Sequence, residues 1–268
     1  MEIVRPSSLE EALSARSAMP DADLLAGGTD LMVEVNFGHR RPQRVISLRR
    51  IDELRSDDAR RIGAGTTWAY LERSDHTALA QAARTVGSPQ IRNAGTIGGN
   101  IGTASPAGDG LPWIAALDAH IEVASASRGT RLIAWDEFFV GVKRTALEPD
   151  EIVLGVVLPE RLPRAQHFAK IGTRSAMVIA TVNCVVMRFD NGTVRAALGS
   201  VGPVPMRARQ AEAFMAEHPD PSDAALAEFA RLVSAEVRPI TDHRSTADYR
   251  RYASGVLARR LLERCLAA

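Results

Sequence analysis

Apolar positions in this chain recur in short runs that switch repeatedly between the helical and the strand period, until two long helical patterns take over near the C-terminus. Residues 8–18 open on Ser8 and read as a serine-capped helix, 23–26 as a strand, 30–37 as a second helix and 44–48 as the next strand. Strand, helix, strand alternation over this short span predicts a small parallel α/β unit at 1–55. From Arg61 the texture changes. Residues 62–65 form a strand and turn, 68–73 and 78–86 are helical, and 87–110 is a glycine-rich stretch unlike anything else in the chain. An apolar helix at 111–117 follows, then strands at 121–124, 131–134 and 152–158, the last ended by Pro159.

The segment 159–163 reads as a boundary between a domain at 1–160, with units 1–55 and 56–160, and a smaller one at 161–268. Three antiparallel strands are expected in the second domain at 166–171, 181–189 and 194–201. Asp190, Asn191 and Gly192 supply a hairpin signal between the last two. Helical patterns at 205–215, 222–237 and 247–266 then predict an α+β domain with its helices segregated behind the sheet.

Composition narrows the function. With 33 basic and 32 acidic residues the net charge is +1, too little to hold a phosphate polymer, so nucleic acid is not an expected partner. Cys184 and Cys265 stand far apart, which predicts neither a disulfide framework nor a thiolate metal site, and points to a reducing, cytoplasmic compartment. The start shows no basic and apolar leader, and no apolar run is long enough to span a bilayer. His39, His76, His120, His167, His218 and His243 show no metal-ligand spacing. Lys143 and Lys170 are the only lysines in a chain crowded with arginine, a bias ascribed first to coding composition.

Two glycine turns carry the candidate chemistry. In Leu24-Leu25-Ala26-Gly27-Gly28-Thr29-Asp30-Leu31 a strand runs into two glycines and a helix start, so consecutive amides can converge on an anion such as a pyrophosphate. An ordinary strand-to-helix turn explains the same residues. Ala94-Gly95-Thr96-Ile97-Gly98-Gly99-Asn100-Ile101-Gly102 reads as a second glycine-rich loop, adding a threonine hydroxyl and an asparagine amide. Together they suit a dinucleotide with two phosphates. Neither is a P-loop, and Ile62-Gly63-Ala64-Gly65-Thr66-Thr67-Trp68 has Trp68 where a Rossmann fingerprint places its third glycine.

These turns occur in order with Ala104-Ser105-Pro106-Ala107-Gly108-Asp109, Phe138-Phe139-Val140-Gly141, Thr145-Ala146-Leu147 and Asp150-Glu151-Ile152. The set resembles the FAD-binding medium subunit of the molybdenum hydroxylases, the family of bacterial carbon monoxide dehydrogenase and xanthine dehydrogenase, over nearly the whole chain. The resemblance implies an α+β chain with a two-subdomain α/β FAD-binding domain of the PCMH/VAO-like type and a C-terminal domain of three antiparallel strands plus helices. It further implies that FAD lies extended, with Leu25, Ala26, Gly27, Gly28, Thr29, Asp30 and Leu31 in one loop and Thr96, Ile97, Gly98, Gly99 and Asn100 in the other. Asp109 matches an acidic residue that contacts the cofactor, Val153 an apolar residue near the flavin, and Lys170 a lysine beside the ring. The residues alone leave plainer roles open: Asp109 as the cap of the helix at Leu111, Val153 as core, and Lys170 as a solvated strand lysine.

No histidine or cysteine falls inside the matched loops, so non-covalent FAD is expected; by the same resemblance the flavin carries the redox chemistry, and no side chain is expected as a catalytic acid, base or nucleophile. The 2Fe-2S clusters and molybdopterin are expected on partners, a small iron-sulfur subunit and a large molybdopterin subunit, joined as a dimer of heterotrimers. Electrons are expected to pass from the clusters through FAD to an external acceptor. A free-standing flavin oxidoreductase of the same fold and a non-catalytic assembly subunit are the competing readings. The substrate is read by the molybdenum subunit, and nothing in this chain selects NAD, quinone, cytochrome or oxygen as acceptor.

Overall fold

Three sheets and one short hairpin carry the chain in a computed structural model that describes residues 1–55, 57–58 and 60–268. The first unit contains β1 (Glu2–Val4), α1 (Leu9–Ala18), β2 (Asp23–Leu25), α2 (Leu31–Asn36) and β3 (Arg44–Ser47). Its strands run parallel in the order β1-β3-β2, as the alternation predicted, with β1 an addition. Three residues with little periodicity gave no strand signal; pairing with Arg44, Val45 and Ile46 makes them one. Ser8 caps α1 by accepting from the Glu11 amide.

The second unit adds β4 (Asp57–Asp58), β5 (Arg61–Gly63), α3 (Trp68–Leu71), α4 (Thr77–Thr85), α5 (Pro89–Ala94), α6 (Ile97–Thr103), α7 (Leu111–Leu117), β6 (His120–Ser125), β7 (Gly129–Ala134), α8 (Trp135–Phe138), β8 (Phe139–Gly141), β9 (Arg144–Thr145) and β10 (Ile152–Val157). Its five-stranded sheet, β4-β5-β10-β6-β7, is antiparallel throughout. The glycine-rich stretch is the main departure from expectation, because much of it is helical. Ser88 caps α5 and Thr96 caps α6, each through its side-chain oxygen, and Ile97 and Ile101 anchor α6 fully buried in the core. Burial of two isoleucines and a cap outweigh the ~1 kcal/mol that each helical glycine costs.

The C-terminal domain comprises β11 (Ala165–Ile171), β12 (Val182–Arg188), β13 (Val194–Gly199), β14 (Met206–Arg207), α9 (Arg209–Ala216), α10 (Asp223–Glu236) and α11 (Ala247–Leu266). The sheet has four strands rather than three. Met206 and Arg207, expected as the start of a helix, instead pair with Leu198 and Ala197, and the helix begins at Arg209. The hairpin turn is as expected, with Gly192 at φ +81°.

β12 is buried along almost its whole length because the sheet is a middle layer. Val182, Cys184 and Val186 face the helices α9–α11, while Val185 and Met187 join the core of the second unit around α4 and α7. All seven residues of α7 are buried, and Arg195 and Arg207 from the C-terminal sheet donate to its last carbonyls. The core of the second unit therefore continues across the domain boundary onto one face of the C-terminal sheet, while the other face packs a separate core against α9–α11. No helix among the described residues is long and apolar enough to cross a membrane.

Candidate functional site

A cleft of about 950 Å³ is lined by residues of all three units, a size within the ~300–1,000 Å³ of cofactor sites. Leu25, Ala26, Gly27, Gly28, Thr29, Asp30, Leu31, Thr96, Gly98, Gly99, Asn100, Asp109, Val153 and Lys170 all line it. Ile97 does not. Its side chain is core and its amide donates to Thr66 O, so the structure places it behind the wall.

The first turn leaves β2 at Leu25 and enters α2 after Asp30. Gly27 is pressed against the second turn so closely that a Cβ would stand 2.0 Å from Ala94 O. Gly28 takes φ +76°, a conformation that costs a side-chain-bearing residue about 1 kcal/mol or more. Among the described residues the amides of Gly27, Gly28 and Thr29 donate to no protein carbonyl. Successive unclaimed amides in a cleft wall are the donors a diphosphate uses. Asp30 makes no capping bond; Thr103 Oγ1 donates to its Oδ2 at 3.3 Å, tying this turn to the far end of α6.

The second turn does not work the same way. Its amides are already spent: Ile97 N donates to Thr66 O, Gly98 N to Ala64 O at 2.9 Å, Gly99 N to Thr96 Oγ1 at 3.0 Å and Asn100 N to Thr96 O. The expectation of a second amide-rich loop is corrected accordingly. Gly98 is there for packing, since a Cβ would sit 2.5 Å from Ala64 Cβ. Asn100 keeps a buried Oδ1 without a partner among the described residues, which leaves an acceptor for a ligand hydroxyl or amine. Trp68, which broke the dinucleotide fingerprint, is a buried hub whose ring closes on Gly95 and Gly110.

At another part of the wall, Asp109 and Lys170 meet across the domain boundary. Lys170 Nζ lies 2.5 Å from Asp109 Oδ2 and 3.2 Å from Thr85 O, and both charged side chains are almost fully buried. Thr85 Oγ1 donates to Asp109 Oδ2 and Asn183 Nδ2 to Oδ1, at 3.2 and 2.7 Å. Asp109 does not cap α7, whose cap residue is Gly110, and Lys170 is not a solvated strand lysine. Burial pushes the Asp109 carboxyl up, against the pull of Lys170, Asn183 and Thr85. A carboxylate has about four acceptor sites, so three donors leave room for one more. Val153 is buried in β10, part of both the core and the cleft wall.

The other lysine lines the same cleft. Lys143, at φ +52° in the turn between β8 and β9, pairs with Glu34 at 2.5 Å, and Arg40 reaches both Glu34 and Asp23. The hydrogen bond from Lys143 holds Glu34 below the usual carboxylate range. Sequence reasoning singled out Lys143 only by scarcity and missed Thr85 and Asn183. Asn183 did carry a signal, as an amide set between Val182 and the apolar run 184–187 of a strand.

The free amides of the first turn, the room that Gly27 and Gly28 leave, the unpartnered Asn100 oxygen and the volume of the cleft fit FAD. Comparison with known proteins agrees. Residues 1–161 match the family model described as FAD binding domain in molybdopterin dehydrogenase, and residues 167–265 match the CO dehydrogenase flavoprotein C-terminal domain. The chain is 37% identical to the nicotinate dehydrogenase FAD-subunit of Eubacterium barkeri, over 81% of this chain and 80% of that one. It is 30% identical to the xanthine dehydrogenase FAD-binding subunit of Escherichia coli O157:H7, over 98% and 95%. Among solved structures, carbon monoxide dehydrogenase from Hydrogenophaga pseudoflava superposes with a TM-score of 0.91 at 31% identity, covering 100% of this chain and 97% of that one.

Proposed function

The chain belongs to the family of FAD-binding subunits of molybdopterin dehydrogenases, and from that premise we propose that it is the electron-transfer subunit of a heterotrimeric molybdenum hydroxylase. FAD, when bound, supplies the redox chemistry, taking electrons from iron-sulfur clusters on a small partner subunit and yielding them to an external acceptor. The molybdopterin sits on a large partner subunit in this reading, and two such heterotrimers pair.

The observation that carries the reading is the single cleft shared by the free-amide turn at Gly27–Thr29 and the Asp109–Lys170 pair. The first turn would hold the pyrophosphate by its amides, with Thr29 beside them. Asn100 would accept from a ligand donor. Lys170, matched by Asp109, would set the electrostatic field at the flavin, and Val153 would give one ring face an apolar wall. No side chain here is asked to move a proton or attack a substrate.

The test is the visible spectrum of the purified chain, followed by acid precipitation and identification of what is released. The expected result is a yellow protein that yields FAD into the supernatant. A colourless protein that also refuses added FAD overturns the electron-transfer role of the isolated chain, leaving either a site completed only by its partners or the assembly-subunit reading. Turnover of a small substrate by the isolated yellow chain, with no partner present, would favour the free-standing oxidoreductase instead.

A further inference from the structure

We propose that Asn183 is a positioning residue of the cofactor cleft, holding the Asp109 carboxylate, and through it the Lys170 ammonium, in the arrangement that sets the charge at that part of the bound cofactor. The inference rests on the reading that FAD occupies this cleft.

Asn183 is the direct cross-strand partner of Lys170 in the β11–β12 ladder, so the two side chains leave the sheet on the same face. That face meets the N-terminal domain, as Val185 and Met187 show two and four residues further on. On the other side Asn183 pairs with Gly199 of β13, where a Cβ would come within 2.3 Å of Asn183 Oδ1. The missing side chain at Gly199 is what lets the amide lie as it does. Asn183 is fully buried, and its Nδ2 donates to Asp109 Oδ1 at 2.7 Å while Lys170 and Thr85 hold Oδ2.

This arrangement has a cost. Among the described residues Asn183 Oδ1, though buried, has no partner, and an apolar side chain would fill the same space without that penalty. The return is control of a buried charge. With one oxygen fixed by Asn183, the carboxylate plane is set and the ammonium has one place to dock; without it, burial favours the neutral acid and leaves Lys170 unmatched. Asn183 does not itself line the cleft, so its influence on a ligand runs through Asp109.

The experiment compares FAD-loaded full chains by flavin midpoint potential, FAD Kd and Tm. A nearby cation favours the electron-rich reduced flavin, so Lys170→Met is expected to lower the potential and Asp109→Asn, which leaves the cation unmatched, to raise it. Asn183→Leu is expected to raise it in the direction of Asp109→Asn and to weaken FAD about tenfold, the usual scale for a hydrogen bond to a charged group. In the double variant Asn183→Leu/Asp109→Asn the potential should equal that of Asp109→Asn alone, because both changes act through one carboxylate. Gly199→Ala, which displaces the amide without replacing it, provides a second route to the same shift should the leucine variant not fold.

A lowered Tm with a wild-type potential and Kd would mark Asn183 as a structural residue only and overturn the proposal. Additive shifts in the double variant would overturn it as well. A wild-type chain that takes up no FAD defeats the functional reading itself and this inference with it; a loaded wild type beside unaltered Asn183→Leu and Gly199→Ala defeats the inference alone.

Discussion

The two glycine turns look alike as sequence and differ as objects. Among the described residues the three amides of Gly27-Gly28-Thr29 find no protein acceptor, whereas Gly98-Gly99-Asn100 belongs to the first turn of a capped helix whose amides are satisfied by Ala64 and Thr96. In the first turn the glycines permit a backbone path that needs φ +76° at Gly28 and exposes donors. In the second they permit approach, letting α6 lie against Ala64. A glycine pair therefore reports that something comes close to the backbone. It does not say whether that something is a ligand or the protein itself.

Substitution by alanine separates these cases, and the largest effect is expected at Gly27. Its added methyl would meet backbone at 2.0 Å, Ala94 O, which cannot rotate away, so the first turn must shift bodily from the second. Gly27→Ala should purify colourless or weaken FAD by about a hundredfold, equivalent to ~3 kcal/mol, by titration of flavin fluorescence. Near-normal affinity would mean the turn is not where the cofactor is held. Gly98→Ala comes next and should act on the fold first. Its methyl meets Ala64 Cβ at 2.5 Å and Ala64 O at 2.6 Å, which breaks the hydrogen bond from the Gly98 amide to Ala64 O and pushes α6 off the sheet. A loss of about 1–3 kcal/mol in urea unfolding of the FAD-free chain is expected. Unchanged stability with lost FAD would reverse the roles assigned to the two turns.

Much of this was legible in the sequence, for reasons that can be named. The capped helix at Ser8, the hairpin at Gly192 and α11 over Ala247–Leu266 are local: propensity, cap and turn chemistry agree, so a single segment suffices to read them. α6 was not legible, because its glycines argue against a helix and what wins is tertiary, the burial of Ile97 and Ile101. β14 was hidden for the same reason, since Met206 and Arg207 become a strand only by pairing with β13. At the site, the family resemblance pointed to Asp109 and Lys170 one at a time. That they form a buried ion pair with Asn183 and Thr85 depends on the docking of two domains, which no local pattern encodes.

The smallest expected effect is the sharpest test of the comparison. Gly99, unlike its neighbour Gly98, would bring an added methyl against a single side-chain atom, Thr96 Oγ1 at 3.2 Å, and it lines the cleft. It is also helical, so alanine there should leave the FAD-free chain as stable as before or up to ~1 kcal/mol more stable. If bound cofactor approaches this backbone, the methyl intrudes on the ligand alone, and FAD should weaken about tenfold, ~1.4 kcal/mol, with no loss of Tm. Such a result separates fold from ligand within one residue: Gly98 would serve the helix and Gly99 the cofactor, although they are neighbours. An unchanged Kd would leave the second turn as frame only, with the pyrophosphate held by the amides of the first.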